Sequence, residues 1–394
     1  MIITSLLLGF YIDIKCINWA LVYGFFNGLD RGFLPLLYSS VFILIILNVG
    51  ISKYKKKIDL KNYSLFLIFY LLVFFFLTMN FIGPPKISFL HFLTLVIIGL
   101  IIPNIILVNT RLVLKSIMFY PIFSVLKLDS VFSPSSDWIS AISMDASYAF
   151  ITPVMAMFIY LIFFFKQETK KQKISTIILS AINLIFLFKL VQYGSRGPIL
   201  SLLLVLGFLW IVRPRYENIG ILINKKRLAV SFLSIIILFF FFQPIITYLS
   251  SVLESNNLYF YGLGKTINLL EHNNISNGRN LFNSISLNMF ADKPFIGYGL
   301  DRFDANTGLG YPHNFVLQTL VDGGILLFII LLVPIIFNLI KKYKRCNKDE
   351  FVLMTFLFFS SVPYALLSQN MWNNSGLWLF FGTVLSSSLV FRKS

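Results

Sequence analysis

The residues most able to do chemistry in this 394-residue chain are a histidine and a few arginines at the edges of apolar runs. His313 stands in GYPHNFVLQTLVDGG, directly after Pro312 and ahead of a long apolar stretch. Proline fits just before a helix, which puts His313 in the first turn. There the positive end of the helix dipole disfavours imidazolium and leaves a neutral ring able to accept a proton. Arg196 lies in VQYGSRGPILS, a tight turn with Pro198 opening the next helix. It reads either as an interfacial arginine snorkelling to headgroups or as a ligand-binding group. Arg279, Lys293 and Arg302 lie in SNGRNLFNSISLNMFADKPFIGYGLDRF, where basic side chains are either solvated or hold substrate. Asp322 follows His313 by nine residues, about 13 Å along a helix, and a charge that deep in an apolar run is a functional or packing centre.

Other polar groups read more plainly. His91 is a structural residue near the start of an apolar run and His272 a solvated loop residue, and three dispersed histidines make no metal site. Glu271, Asp292, Asp301 and Asp304 show no spacing that singles out a hydrolytic pair. The glycines of GYGLDRF, Gly297 and Gly299, follow no dinucleotide-binding strand and lack the phosphate-loop spacing. The aromatic LYFYG at 258–262 fits an interfacial belt, with sugar stacking as the alternative.

The elements that must position these groups are membrane helices. Hydrophobic residues make up 57% of the chain and charged ones only 12%, with a mean hydropathy of +0.82. That excludes a soluble domain, which carries about a quarter charged residues. Apolar runs predict an all-α polytopic membrane protein with twelve spans, near 3–26, 33–51, 63–82, 88–108, 111–126, 147–166, 175–193, 198–212, 228–248, 313–340, 351–369 and 376–391.

The net charge of +17 is spread over loops rather than gathered on a polar domain, which argues against a nucleic-acid partner. Alternate loops hold KYKKK, KQETKKQK, RPRYENIGILINKKR, KKYKRCNK and the terminal Arg392 and Lys393. The positive-inside rule therefore puts both termini in the cytoplasm and the intervening loops outside. The chain reads as a single transmembrane domain over 1–394, with one long exterior loop at 249–311 forming part of the active site. Cys16 and Cys346 supply neither a disulfide framework nor a zinc spacing.

GSRGPILSLLLVLGF, then an exterior loop with GRN and DKPFIGYGLDRF, then HNFVLQTLVDGGILLF, resembles the O-antigen polymerase and O-antigen ligase superfamily over roughly residues 190–340. The resemblance implies a metal-independent glycosyltransferase of the GT-C kind, without cofactor. It would sit in the bacterial inner membrane and act at its outer face on glycans carried by undecaprenyl pyrophosphate. It implies catalytic roles for Arg196, Arg279 and His313. Arg302, Asn314, Tyr298 and Asp322 are then expected to bind substrate, with Asp322 standing where relatives often carry glutamate.

Under that resemblance the arginines bind the diphosphate and absorb its charge as the anomeric bond breaks, while His313 takes the acceptor proton. A one-step attack inverts the anomeric centre. The expected partners are the lipid-linked donor and acceptor glycans, the bilayer and a chain-length regulator. The leading expectation is a polymerase of repeat units. A ligase moving glycan to lipid A-core shares the donor chemistry. A flippase would call for charged residues lining the span interiors and for internal symmetry, whereas those interiors are almost free of charge apart from Asp13, Lys15 and Asp322 and the sequence displays no inverted repeat.

Overall fold

The computed structural model describes residues 110–119, 121, 144–214, 221–256, 260–272, 278–299 and 302–385. The expected spans 3–26, 33–51, 63–82 and 88–108, both chain termini and His91 lie outside the described residues.

The described chain is helical apart from one short hairpin. Its helices are α1 Thr110–Met118, α2 Met144–Phe163, α3 Lys170–Tyr193, α4 Arg196–Ile211, α5 Lys225–Ser255, α6 Tyr261–Glu271, α7 Arg279–Asp292, α8 Arg302–Thr307, α9 Phe315–Arg345, α10 Lys348–Leu367 and α11 Ser375–Leu385. Between α4 and α5, β1 Val212–Pro214 pairs antiparallel with β2 Ile221–Ile223.

Eight of the expected spans thus meet a helix. Among the described residues, three helical segments are long and apolar enough to cross a membrane, Lys170–Gln192, Phe315–Arg345 and Lys348–Leu367. A fourth arises if the pair Lys225–Ile237 and Phe240–Leu253, bent by 67°, is one span. Pro244 stands just beyond that bend, where it lacks the N–H that would bond Phe240. The segments Ser147–Phe163, Arg196–Ile211 and Gly376–Leu385 are shorter apolar helices. The expected exterior loop is itself structured, since α5 runs on to Ser255 and α6, α7 and α8 follow within it.

The chain divides into two compact units. The first holds the described residues of Asn109–Ile275 and Asn347–Ser360, the second those of Ser276–Cys346 and Ser361–Ser394.

In the first unit α2 packs against α1, α3 and α4, which is why it is apolar on every side, with Ile151, Val154, Met155 and Ile159 fully buried. The turn entering α3 is fixed by a capping box between Thr169 and Gln172. Just ahead of it, the buried Glu168 carboxylate accepts from Lys115 at 2.7 Å, from the Tyr160 hydroxyl at 2.7 Å and from Thr176 at 2.9 Å. One carboxylate thereby ties α1, α2 and α3 together. Removing one partner of such a buried pair costs about 3–5 kcal/mol.

In the second unit α9 is the axis, packed by α7, α8 and α11. Met289, Phe303 and Val321 form a small core against Phe282, Ile285 and Tyr298. Trp372 stacks on Trp378 at 5.5 Å beside α11. Lys342, Lys344 and Arg345 in the last turn of α9 complement its dipole.

α9 is not one continuous helix. Gly324 breaks it with φ 62° and ψ −162°. In an unbroken helix the Val321 and Asp322 carbonyls would accept from Ile325 and Leu326. The segment PFIGYG, residues 294–299, is inserted between them instead. Tyr298 N–H donates to Val321 O at 2.7 Å and Gly299 N–H to Asp322 O at 2.8 Å, while Ile325 and Leu326 donate to Pro294 O at 2.8 Å and Phe295 O at 3.3 Å. These four backbone groups freed by the break are thus satisfied by this strap, as a buried helix end requires.

The insertion explains two glycines. A Cβ on Gly297 (φ 65°) would lie 2.5 Å from Val321 O and 2.6 Å from Gly323 N, and one on Gly324 would collide with the Phe295 carbonyl. The second segment of α9, Ile325 to Arg345, still spans about 31 Å, the thickness of a hydrocarbon core. Asp322 precedes that segment, so it lies at the break and not in the middle of a continuous spanning helix.

Candidate active site

Arg196 belongs to the first unit. It is the first residue of α4, following the extended N-cap Ser195, whose side chain makes no cap hydrogen bond. A cation at this end opposes the helix dipole, so it adds nothing to helix stability there. It does make the end doubly attractive to an anion. The Arg196 guanidinium donates through Nη1 to the Thr266 hydroxyl of α6 at 3.3 Å.

The other candidates belong to the second unit. Arg279 is likewise the first residue of its helix, following Gly278 at φ 78°. Arg302 opens α8, whose next residue, Phe303, is anchored in the core with Met289 and Val321. The chain after α8 is closed by Asp304, which accepts from Gly310 N–H at 2.7 Å and so sets the approach to Tyr311 and Pro312.

His313 does not lie in the first turn of the helix, as the sequence led us to expect. α9 starts at Phe315, and its N-cap is Asn314, whose side-chain oxygen accepts from Val316 at 3.0 Å and Leu317 at 3.3 Å. The Asn314 oxygen is therefore committed to the helix, leaving its amide N–H groups for any ligand. His313 precedes the cap in the left-handed region, at φ 56°, a conformation unusual for a residue with a side chain.

The imidazole is half-buried between Tyr311, with ring centroids 4.3 Å apart, and Phe282, edge-on at 4.9 Å. Burial pushes its proton affinity below the ordinary histidine range. A hydrogen bond to the Ser368 carbonyl pulls it back up, and the Arg279 charge pushes it further down. The Tyr311 hydroxyl donates to the same Ser368 carbonyl at 2.6 Å. A neutral imidazole in this setting can donate from one ring nitrogen and accept a proton at the other. The neutral form expected for His313 thus arises chiefly from burial.

Asp322 is 1% exposed and accepts from the Trp372 indole N–H at 2.6 Å. Trp372 is held in turn by Asn370, which accepts both from Trp372 N–H at 2.9 Å and from the Gln318 amide at 2.8 Å. Gln318 completes the loop by accepting from Met371 N–H at 2.9 Å. Tyr298 sits on the strap. Its ring lies 4.4 Å from Lys293 Nζ, and its hydroxyl donates to Asp292, a hydrogen bond that raises the phenol above its usual range.

The structure therefore gathers Arg279 and His313 within one unit, with Tyr298, Arg302, Asn314 and Asp322 in the same unit, and Arg196 in the other. Among the described residues no group of three or more His, Cys, Asp or Glu side chains gathers as a metal site would require. Sequence reading missed Tyr311, Phe282, Ser368 and Trp372, which surround His313 and Asp322. Ser368 acts through its carbonyl and so leaves no residue-type signal. A tryptophan among asparagines in NMWNNSG was a signal that could have been read.

Residues 181–332 match a family model described as O-antigen ligase. The matched stretch includes Arg196, Arg279, Tyr298, Arg302, His313, Asn314 and Asp322, and ends before Ser368 and Trp372. No curated protein matches the chain.

Proposed function

We propose that this membrane protein, whose residues 181–332 match a family model described as O-antigen ligase, polymerises lipid-linked oligosaccharide repeat units. It does so by inverting, metal-independent glycosyl transfer at the outer face of the bacterial inner membrane. The observation that carries the reading is the His313 environment. A half-buried imidazole packed between Tyr311 and Phe282, its proton affinity lowered by burial and by the Arg279 charge, suits a general base beside an anionic substrate.

In the proposed reaction the acceptor sugar hydroxyl attacks the anomeric carbon of the donor glycan. The bond from that carbon to the diphosphate oxygen breaks, its electron pair leaves with the undecaprenyl diphosphate, and the hydroxyl proton passes to His313. Arg279 and Arg196 are assigned to the diphosphate, because guanidinium groups stay ionised and bind phosphate oxygens in bidentate fashion. Their places at the first residues of α7 and α4 support this, since an anion there also meets the positive helix end. Arg302, Tyr298, Asn314 and Asp322 are assigned to substrate binding or its support.

The reading carries a plan of twelve GT-C-like spans, cytoplasmic termini and residues 249–311 as an exterior part of the site. A ligase transferring glycan to lipid A-core is the second reading, favoured by the description of the matching family. Deleting the gene and resolving the lipopolysaccharide on a gel separates the two. Core carrying a single repeat marks a polymerase, bare core marks a ligase, and an unchanged ladder refutes both. With purified protein in nanodiscs and synthetic lipid-linked repeats, wild type extends chains and His313→Ala does not. Full extension by His313→Ala removes the base assignment.

A further inference from the structure

α6, the first helix of the expected exterior loop, packs against α3 and lies close to the GSRGP turn. Gly262 and Thr266, one helical turn apart, face that turn. A Cβ on Gly262 would lie 3.5 Å from Gly194 O and 3.6 Å from the Arg196 Cγ. Thr266 is 6% exposed and donates its hydroxyl hydrogen to Gly262 O at 2.6 Å. With that hydrogen committed, the oxygen can only accept, and it accepts from Arg196 Nη1 at 3.3 Å. A buried hydroxyl thus receives one N–H of a guanidinium, the group that binds phosphate oxygens in a planar, bidentate fashion.

We infer that Thr266 is a positioning residue, holding the Arg196 guanidinium in the orientation that engages the leaving diphosphate. The inference rests on the role proposed for Arg196. It adds that an exterior-loop helix, and not only the span that carries Arg196, determines how that charge is presented.

The test uses the full-length protein in nanodiscs with lipid-linked repeats. Thr266→Val keeps the shape and removes the acceptor, whereas Thr266→Ser keeps the acceptor. A hydrogen bond to a charged group corresponds to about ten-fold to a hundred-fold in rate. Thr266→Val is expected to lower kcat by at least about ten-fold with KM for the donor moved less, because the charge grows as the bond breaks. Thr266→Ser is expected to restore the rate. Combined with Arg196→Lys, Thr266→Val is expected to add little, since both act through one group.

A serine variant as slow as the valine variant, or full additivity with Arg196→Lys, overturns the inference while leaving the Arg196 role standing. Wild-type activity in Arg196→Lys and Arg196→Ala overturns that role and the inference with it. If Thr266→Val does not fold, Thr266→Ala against Thr266→Ser provides the same comparison.

Discussion

Gly297→Ala tests whether the strap at 294–299 holds the broken helix α9 together. The added methyl would sit 2.5 Å from Val321 O and 2.6 Å from Gly323 N, both backbone atoms that cannot yield without moving the helix. Its φ of 65° adds about 1 kcal/mol for any residue with a Cβ. Withdrawing the strap loses four hydrogen bonds. Closing the helix over Gly324 regains two, between Val321 and Ile325 and between Asp322 and Leu326. The net loss of two bonds is about 1–3 kcal/mol. Withdrawal relieves the φ strain, so the bond loss alone sets the scale, about 1–3 kcal/mol, or about 5-fold to 140-fold in protection, at about 1.4 kcal/mol per factor of ten.

Hydrogen–deuterium exchange in nanodiscs, read on peptides covering 294–299 and 321–326, measures this directly. Gly310→Ala is the control. Gly310 has φ 84° but nothing within 4 Å of an added Cβ, so only the conformational cost applies, about five-fold. Equal protection losses in the two variants would refute the account of the strap. So would faster exchange spread evenly over both units.

Three further outcomes are expected. Because His313 must be neutral to accept a proton and its affinity is lowered, activity should persist to pH values below those at which an ordinary histidine protonates, near about 6.5. Removing the Arg279 charge in Arg279→Gln should move that acid limb upward, whereas Arg279→Lys should leave it in place while slowing turnover through loss of the bidentate fork. pH–rate profiles normalised to each variant's plateau read both effects. Trp372→Phe removes the indole donor from the buried Asp322 and should destabilise the protein by about 1.5–3 kcal/mol in chemical unfolding, an effect that no change at the exposed Leu281 should match.

Much of the architecture could be read before any coordinates. The helices α2, α3, α4, α9 and α10 fall within a few residues of the runs at 147–166, 175–193, 198–212, 313–340 and 351–369. Apolar length against the bilayer thickness decides them locally. The interruption of α9 was not legible, because DGG inside an apolar run is equally compatible with a continuous helix carrying two weak residues. Likewise PFIGYG carries glycines that could serve a turn, a phosphate or a close backbone approach. Only its pairing with residues 321–326 selects the third.

The same division holds for the site. The sequence by itself determined which groups can do chemistry, because an arginine or a histidine at the mouth of an apolar span is costly to place without a role. It also determined the order in which those groups occur, on which the family likeness depends. Only the tertiary structure decided their state. His313 is packed against a phenylalanine 31 residues earlier in the chain, and Asp322 is bonded to an indole 50 residues later. Such contacts depend on burial, so neither spacing nor composition encodes them in a form that can be read along the chain.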